Sequence, residues 1–465
     1  MKPAFLPLLL LASCLALEGC STRPPCDASS CEGCCDATGL CRVGTAADAC
    51  GAKGATCAVC ASGCMSGACL TVDAGAPDAG ATCQPSTEAP TGRSDFGGAY
   101  DAVNDELVVF GGDPGVAVNC QSKPEFSEET WFFSPGCGTW RRSPVQGPSP
   151  RARHASAFDT QRRRLIVFGG RYRLGTSGDY LTYNDVHALS LGLDATPNHA
   201  WEELTTRGTR PPPLSSAAAV YDATGDRFIV FGGNTSNNGG VFAPNGRVFA
   251  LALSDNTWSE LVPTAGVAPA RLFHAMALDA QRNRLVAFAG GDANAFLGPF
   301  FRDVVTFDLT TRVWAPLTLS GSAPLGRIRP MMVADPARDR LLVFGGHDDG
   351  QLGETNDLWA INLAANRWER LRAGDTLKTP GNGFCDFPAD FTNADLMSPE
   401  RREGSVFTPA GPHGVLMFGG RSDCGTVSDV WKLDPVMGQW TSLRPSFAGL
   451  SCERSGRTNC TKLCF

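Results

Sequence analysis

The sequence is poor in charge and has no cluster of lysine and arginine. Charged residues make up 19% of its 465 residues, the formal net charge is −7, and the isoelectric point lies near 5.5. Proteins that bind nucleic acid through its phosphates present a basic patch, so we expect no nucleic-acid partner. Glycine (53) and proline (32) are frequent instead, and 43% of the residues are hydrophobic. This composition is typical of a mainly β protein with short strands and tight turns.

The N-terminus lacks a hydrophobic run long enough to cross a bilayer. Lys2 precedes an apolar run over residues 3–17, which is too short to span and is typical of a secretory signal. We therefore predict that residues 1–19 are a signal peptide and that the protein is exported. Cys20 and Cys14 each follow residues that resemble the lipobox of bacterial lipoproteins, whose cysteine becomes the acylated N-terminus.

This resemblance implies that a lipid is the protein's only contact with a membrane. Cys20 is favoured because cleavage before it leaves a signal of suitable length, whereas Cys14 has the better four-residue match, LASC. A plain signal peptide without lipid stays open as an alternative. Because Ser21 and not aspartate follows Cys20, the resemblance implies an outer-membrane lipoprotein that faces the periplasm or the cell surface.

Residues 20–70 have few large apolar side chains but many cysteines, so no hydrophobic core can form there without cross-links. Disulfides are the expected cross-links in an exported protein, although the spacings Cys31-x-x-Cys34 and Cys57-x-x-Cys60 leave zinc as an alternative. Residues 71–92, rich in alanine, glycine, proline and aspartate, predict a linker. The cysteines of the segment are Cys26, Cys31, Cys34, Cys35, Cys41, Cys50, Cys57, Cys60, Cys64 and Cys69.

The rest of the chain repeats an apolar, strand-forming run that ends in glycines. The six copies are ELVVFGG, RLIVFGG, RFIVFGG, RLVAFAGG, RLLVFGG and GVLMFGG, which end at Gly112, Gly170, Gly233, Gly291, Gly346 and Gly420. Each copy closes with a tryptophan: Trp140, Trp201, Trp258, Trp314, Trp368 and Trp440. Four short apolar segments, A to D, make up a copy. Turns such as DAQRNR between A and B and DLTTR between C and D favour hairpins, which predicts an antiparallel four-stranded sheet.

These features resemble the kelch repeat: the diglycine, the tryptophan with an apolar or aromatic residue nine positions before it, and the Pro/Arg before segment A. The resemblance implies an all-β fold, a six-bladed kelch-type β-propeller of four-stranded antiparallel blades over residues 93–447. The small disulfide-rich segment precedes it, and residues 448–465 form a Cys-containing tail. We interpret the glycines and tryptophans as scaffold, for sharp backbone turns and blade-to-blade packing respectively.

Strand direction assigns the loops to two faces. The A–B and C–D turns are short, whereas the B–C and D–A loops hold nearly every long insertion, so we predict that ligands bind on the B–C and D–A face. Guanidinium groups where strand A begins would attract an acidic ligand, such as a sugar carboxylate. Contacts between blades are the favoured alternative for these arginines. The candidate ligand-binding rim is Arg151, His154, Arg271, His274, Arg327 and Arg401.

Tyrosine and histidine are scarce, with five and six residues. The copper oxidases built on kelch-like propellers use two tyrosines, two histidines and a Cys–Tyr cross-link, and no pairing here reproduces that set convincingly. His347, Asp348 and Asp349 follow the fifth diglycine, where solvated loop residues are the favoured interpretation over a metal or acid/base site. We predict no catalytic residue, no metal and no cofactor.

These observations favour a monomeric recognition protein for a protein or carbohydrate ligand. The alternative is a carbohydrate-active propeller enzyme, either a sugar mutarotase or epimerase or an oxidase-like enzyme, with its site at the channel mouth.

Four cysteines of the repeats are predicted to form two disulfides. Cys120–Cys137 would lie within the first blade, and Cys385–Cys424 would join two loops of one face. Cys83 and the three cysteines of the tail are candidates to link the ends of the ring.

Overall fold

We describe the chain from a computed structural model, in which the described residues form β-strands and three single turns of 3₁₀ helix, Ala280–Arg282, Pro336–Arg338 and Gly411–His413. No helix within the described residues has the length and apolar character needed to cross a bilayer. The chain divides into two compact units between residues 81 and 82. The structure describes residues 26–37, 40–42, 45–46, 49–58, 64–65, 68–69, 83, 86–115, 125–175, 178–192, 199–348, 352–377, 392–422 and 425–446.

Disulfides hold the first unit together, as its lack of apolar side chains predicts. Three join described cysteines of this unit: Cys26–Cys35, Cys31–Cys41 and Cys34–Cys57. Zinc binds thiolates, so the bonded sulfur atoms of Cys31, Cys34 and Cys57 rule out the zinc alternative for these three residues. The strands of this unit are Cys34–Cys35, Cys41–Arg42 and Ala55–Thr56 in one sheet, and the pairs Thr45–Ala46 with Ala49–Cys50 and Cys64–Met65 with Ala68–Cys69.

The second unit contains six sheets, each built on four antiparallel strands, and the sheets of blades 3 and 5 have a short fifth strand. This arrangement confirms the predicted six-bladed propeller. Within each blade the strands pair in the order A-B-C-D, and strand A lines the central channel. In blade 1 the strands are Gly97–Asp101, Glu106–Phe110, Thr130–Ser134 and Thr139–Arg142; in blade 2, Ala155–Asp159, Arg164–Phe168, Val186–Ser190 and Ala200–Glu203; in blade 3, Ala218–Asp222, Arg227–Phe231, Val248–Ala252 and Thr257–Glu260.

The second half of the ring repeats this plan. In blade 4 the strands are Ala275–Asp279, Arg284–Phe288, Val304–Asp308 and Trp314–Pro316; in blade 5, Met331–Asp335, Arg340–Asp348, Glu354–Asn362 and Arg367–Arg372; in blade 6, Val406–Pro409, Val415–Phe418, Val430–Asp434 and Gln439–Arg444. Short strands in the connections are Arg171–Tyr172 with Leu181–Thr182, Arg207–Gly208 along strand D of blade 3, Arg327–Ile328 along strand B of blade 5, Thr376–Leu377 with Thr392–Asn393, and Arg421–Ser422 with Gly425–Thr426.

The A–B turns are built around a buried aspartate. In blade 2, Asp159 accepts hydrogen bonds from the backbone N–H groups of Gln161 and Arg162, both at 3.1 Å. Its second oxygen pairs with Nε of Arg164 at 2.9 Å. A turn residue that bonds its own backbone and a cation on the return strand fixes the hairpin. The same pairs close blades 3 to 5: Asp222–Arg227, Asp279–Arg284 and Asp335–Arg340.

The tryptophan of each strand D packs against the preceding blade, as interpreted from the sequence. Its partner is always the phenylalanine that ends strand B there, and the ring centroids lie 4.6 to 5.4 Å apart. Such aromatic pairs bury large apolar areas in a defined geometry, so they fix the angle between neighbouring blades. The six pairs are Trp140–Phe418, Trp201–Phe110, Trp258–Phe168, Trp314–Phe231, Trp368–Phe288 and Trp440–Phe344.

The ring closes at the junction of blades 6 and 1, here called the seam, without a shared blade. All four strands of each blade are consecutive in the chain, so packing and hydrogen bonds replace strand exchange. Trp140 of blade 1 lies against Phe418 of blade 6, and Nη1 of Arg444 donates a hydrogen bond to the carbonyl oxygen of Gly138 at 3.0 Å.

One predicted disulfide is wrong. Cys137 bonds to Cys83 and not to Cys120, so the bridge ties the segment before the propeller to the C–D turn of blade 1. Cys120, Cys385, Cys424 and the tail cysteines lie outside the described residues. The expected linker also ends earlier than residue 92, because Ala89 packs against the apolar core between blades 1 and 6.

Candidate functional site

The arginines that repeat before strand A are part of the blade scaffold. Arg151 is 1% exposed; it donates to the carbonyl oxygen of Gly169 at 3.0 Å and pairs with both oxygens of Asp185 at 2.7 and 2.9 Å. These bonds tie the D–A connection to the ends of strands B and C. A buried guanidinium whose donors are taken up by a carboxylate is not offered to a ligand. The equivalent pairs are Arg93–Glu129, Arg271–Asp303, Arg327–Asp357 and Arg402–Asp429.

This geometry corrects the predicted rim. Arg151, Arg271 and Arg327 are buried in their blades, so they are not the exposed cations expected there. Arg402, not Arg401, is the equivalent residue in blade 6. Arg401 is also buried, and its Nη1 donates to the carbonyl oxygens of Leu352 and Glu354.

His154 and His274 pack between blades. Their rings lie 5.5 Å from Phe110 and 5.0 Å from Phe231, on the preceding blade in each case. Burial, followed by the charge of the adjacent scaffold arginine, lowers the pKa of each histidine to about 3. They are therefore neutral packing residues and not ligands at the rim.

The residues that line the channel mouth stand two positions after the scaffold arginine. Their backbone is left-handed, with φ between 52° and 65°, a conformation that favours glycine, yet only one of the six is glycine. From Asp95 round to Arg329, the N–H of each of these residues donates to the carbonyl oxygen of the equivalent residue in the preceding blade, at 2.6 to 3.2 Å. Gly404 is the acceptor for Asp95. We call this group the mouth ring: Asp95, Arg153, Ser216, Phe273, Arg329 and Gly404.

The side chains of the mouth ring differ from blade to blade, and three cations meet on one side. Arg153 and Arg329 contact the same oxygen of Asp95 at 3.1 and 3.3 Å. Arg171, directly after the second diglycine, stacks on Tyr180 at 3.7 Å, and its buried Nε has no hydrogen-bond partner among the described residues.

The electrostatics of these groups show that several guanidinium groups act on one another and on Asp95. Burial alone would raise the pKa of Asp95, but the charges of Arg329, Arg153 and Arg421 outweigh it and hold that pKa well below its usual range. Burial, together with the charges of Arg171 and Arg329, lowers the pKa of Arg153. An anion at this point would relieve the repulsion between the guanidinium groups.

The blade 5 and 6 side of the mouth carries a second ion-pair network. Glu403 lies 2.7 Å from both Arg329 and Arg421. His347 approaches Glu354 at 3.7 Å; burial by itself lowers the pKa of His347, but the hydrogen bond and charge of Glu354 raise it overall. One ligand atom each of His347, Glu354 and Glu403 lies within 4.8 Å of the others, a spacing suited to a metal ion. The guanidinium groups of Arg329 and Arg421 already neutralise Glu403, so we interpret these three residues as part of an ion-pair network and not as a metal site.

Asp348, the other described polar candidate after the fifth diglycine, serves the loop. Its carboxylate accepts the backbone N–H groups of Leu352 and Gly353 at 3.2 Å. Asp349 lies outside the described residues.

Aromatic rings lie directly beside the cations of the mouth, and the guanidinium of Arg329 is 4.4 Å from the ring centroid of Phe273. Phe273 and Phe296 lie 5.4 Å apart, and Phe242 lies 5.4 Å from Phe296. At the mouth ring the channel holds a cavity of about 240 Å³, lined by charged residues such as Asp95 and Arg329 and by strand A residues such as Ala218 and Met331. The mouth thus combines charged groups and aromatic rings around one small cavity.

The residues predicted from the sequence do not include Arg153, Arg171, Arg421 and Glu403, which lie at the channel mouth. The scaffold arginine was predicted as a site residue because it repeats from blade to blade. The residues at the mouth show the opposite pattern, since the position two residues after that arginine changes from Asp to Arg, Ser, Phe, Arg and Gly. In a repeat protein, positions that repeat serve the scaffold, and positions that vary are free to serve binding.

Comparisons with known proteins agree with this architecture. A family profile described as the KLHDC2/KLHL20/DRC7 Kelch-repeats domain matches residues 79–224 and 218–385. Kelch domain-containing protein 10 of Rattus norvegicus is 23% identical over 386 residues, which cover 79% of this chain and 82% of that protein. Host cell factor 1 of Homo sapiens is 26% identical over 320 residues, 62% of this chain and 14% of that protein. The solved structure of YjhT has a TM-score of 0.53 at 16% identity and covers 77% of this chain and 99% of its own, a likeness in fold alone.

Proposed function

The chain belongs to the kelch-repeat family, and on that premise we propose that it is a non-catalytic recognition protein that binds an anionic group at the channel mouth. The observation that supports this function is the cluster of Arg153, Arg171 and Arg329 near Asp95. Asp95 pairs with Arg153 and Arg329, Glu403 also pairs with Arg329, and the buried Nε of Arg171 has no hydrogen-bond partner among the described residues. A ligand carboxylate there would receive charge-assisted hydrogen bonds from guanidinium groups that the fold already holds in place. Both a protein and a carbohydrate can supply such a group.

A binding screen against paired acidic and neutral glycans and peptides tests this function. We expect wild-type protein to retain the acidic members and an Arg171→Gln variant to bind them at least about tenfold more weakly. Arg207→Gln is the matched control, because Arg207 is exposed on the outer edge of blade 3 and pairs with Asp255. Thermal melts check that both variants fold. Undiminished binding by the Arg171→Gln protein would remove the mouth as the site.

We further propose that the protein is exported and held at the outer membrane by an acyl chain on Cys20, with Cys14 as the alternative. The disulfides of the first unit support export, because such bonds persist in oxidising compartments. Metabolic labelling of cells with a tagged fatty acid tests the anchor. Label should be lost in a Cys20→Ala variant and kept in Cys14→Ala; label retained by both would contradict a lipid on either cysteine alone.

A carbohydrate-active enzyme is the second candidate, and the grouping of His347, Glu354 and Glu403 is the observation that favours it. A carboxylate beside a histidine is a common acid/base pair for proton transfer at a sugar carbon. Anomer exchange and epimerisation of reducing sugars, followed by NMR with wild-type protein and a Glu354→Gln variant, separate the two functions. Turnover that depends on Glu354 would establish the enzyme; the recognition function expects none.

A further inference from the structure

The B–C loop of blade 3 presents an asparagine followed by glycine to solvent. Asn238, Gly239 and Gly240 are all exposed. A glycine has no side chain to shield its backbone nitrogen and restricts the backbone least, so in an Asn-Gly pair that nitrogen easily reaches the asparagine side chain. The sequence holds two further pairs of this kind, Asn245–Gly246 in the same loop and Asn382–Gly383, which lies outside the described residues.

The side-chain amide of Asn238 is polarised but not held in place. Its Oδ1 accepts the backbone N–H of Gly240 at 2.8 Å, whereas its Nδ2 donates to none of the described residues. A donor at Oδ1 stabilises the negative charge that develops on this oxygen when a nucleophile attacks Cγ. The unbonded amino group is free to leave as ammonia.

Asn245 forms the same turn but is fixed by its surroundings. Its Oδ1 accepts the N–H of Arg247 at 3.3 Å, yet the residue is only 7% exposed and its Nδ2 donates to the carbonyl oxygen of Gly232 at 3.1 Å. The backbone N–H of Asn245 bonds to Gly233 at 2.8 Å, and its carbonyl oxygen accepts the N–H of Arg271 at 3.3 Å. One loop therefore holds the same dipeptide once free and once restrained.

The free pair lies beside an arginine that has no acidic partner. A β-carbon on Gly239 would lie 3.2 Å from Nη1 of Arg173, and Arg173, Asn238 and Gly239 line one cavity of about 330 Å³. Arg173 donates to the carbonyl oxygen of Gly178 at 3.0 Å and stacks on Tyr180 at 4.2 Å, but it forms no ion pair with a described residue. A carboxylate formed at residue 238 would find a guanidinium group available for a charge-assisted hydrogen bond.

We propose that Asn238 is a deamidation site, which adds a carboxylate to the B–C loop of blade 3 beside Arg173. The backbone nitrogen of Gly239 loses its proton and attacks Cγ of Asn238, which forms a cyclic succinimide. The bond between Cγ and Nδ2 breaks, and ammonia leaves with the proton. Water then opens either carbonyl of the ring to give aspartate or isoaspartate, and no electrons are transferred. This inference does not depend on the proposed function.

Peptide mapping by mass spectrometry tests the site in the full chain, aged in neutral buffer at physiological temperature. Asn238 and Asn245 fall in one tryptic peptide, Phe228–Arg247, so fragment ions measure both conversions in the same molecule. We expect the folded protein to convert Asn238 at least about tenfold faster than Asn245, because Asn245 can react only after local unfolding. In concentrated urea the two rates should agree within about twofold, since both residues precede glycine.

A Gly239→Ala variant tests the chemistry, because a methyl group on residue 239 shields its nitrogen. This variant should convert Asn238 at least about fivefold more slowly and leave Asn245 unchanged. Gly246→Ala is the matched control at the restrained pair and should leave the rate at Asn238 unchanged. Thermal melts check that both variants fold.

Three results would overturn the proposal. The first is a folded protein in which Asn238 is not converted or reacts no faster than Asn245. The second is a rate at Asn238 that Gly239→Ala does not lower. The third is a tenfold difference that persists in urea, since flanking residues and not the fold would then select Asn238.

Discussion

Two buried histidines occupy a position that a phenylalanine fills elsewhere in the same ring. Phe96 of blade 1 packs on Phe418 with ring centroids 5.3 Å apart, and His154 and His274 make the equivalent contacts in blades 2 and 4. Neither nitrogen of either imidazole has a hydrogen-bond partner among the described residues. The position therefore accepts an apolar ring, and the histidines make the protein sensitive to acid.

A His154→Phe/His274→Phe variant should lose part of this acid sensitivity. Burial lowers the pKa of both histidines from 6.5 to about 3, so the unfolded chain binds more protons than the folded one between these values. Stability of the wild type consequently falls as the pH falls from 6.5 towards 3, by about 1 kcal/mol per pH unit for each histidine. Urea unfolding at a series of pH values should show a shallower fall in the variant. A slope equal to that of the wild type would contradict this assignment.

At the scale of residues, the sequence predicts which loops carry the candidate site but not which side chains line the channel mouth. Arg151 and Arg153 are two residues apart, and only the first belongs to a repeated pattern. The left-handed backbone of Arg153 turns the chain at the mouth, so the repeated arginine points into the blade. Five of the six mouth-ring residues are not glycine, so their residue types do not predict a left-handed backbone.

At the scale of elements, ion pairs join the A–B turns of neighbouring blades. Arg162 contacts Asp226 of the next blade at 2.7 Å, and Arg282 contacts Asp339 of its next blade at 2.6 Å. Arg163 contacts Asp101 of the preceding blade at 2.6 Å. A further link spans the seam, where His413 takes the place of arginine and contacts Asp105 at 2.6 Å. The turns are hairpins as predicted. The ion pairs between turns were not predicted, because each pair joins residues of two turns and the sequence of one turn does not show its partner.

A His413→Arg variant should stabilise the seam, because a guanidinium can donate to both oxygens of Asp105 as Arg162 does to both oxygens of Asp226. The gain should stay below about 1 kcal/mol, because the His413–Asp105 pair is partly exposed. Urea unfolding measures it. Arg282→His is the matched reverse change and should cost stability; no effect of either change would show that the ion pairs between turns are unimportant.

At the scale of the whole molecule, six copies of one sequence pattern predict the fold, but they do not predict where the propeller begins. Residues 86–93 form a strap across the seam: the N–H of Arg93 bonds to Val427 at 3.3 Å and its carbonyl oxygen accepts the N–H of Gly420 at 2.8 Å. A β-carbon at Gly92 would lie 2.8 Å from the carbonyl oxygen of Thr426. The small residues that predict a linker here permit close contact with blade 6.

The Cys83–Cys137 disulfide should therefore contribute to closure of the ring. It bonds Cys83, which precedes the strap, to blade 1, while Arg93 at the end of the strap bonds to blade 6. The two cysteines are 54 residues apart in the sequence. Removing it in a Cys83→Ser/Cys137→Ser variant should destabilise the propeller by about 2–4 kcal/mol, because the unfolded chain regains the freedom that the cross-link removed. Tryptophan fluorescence during urea unfolding reports on the blade junctions directly. A Cys26→Ser/Cys35→Ser variant removes a disulfide of the other unit and should leave this transition unchanged. If both variants unfold as the wild type does, packing of Trp140 on Phe418 closes the ring without help from the strap.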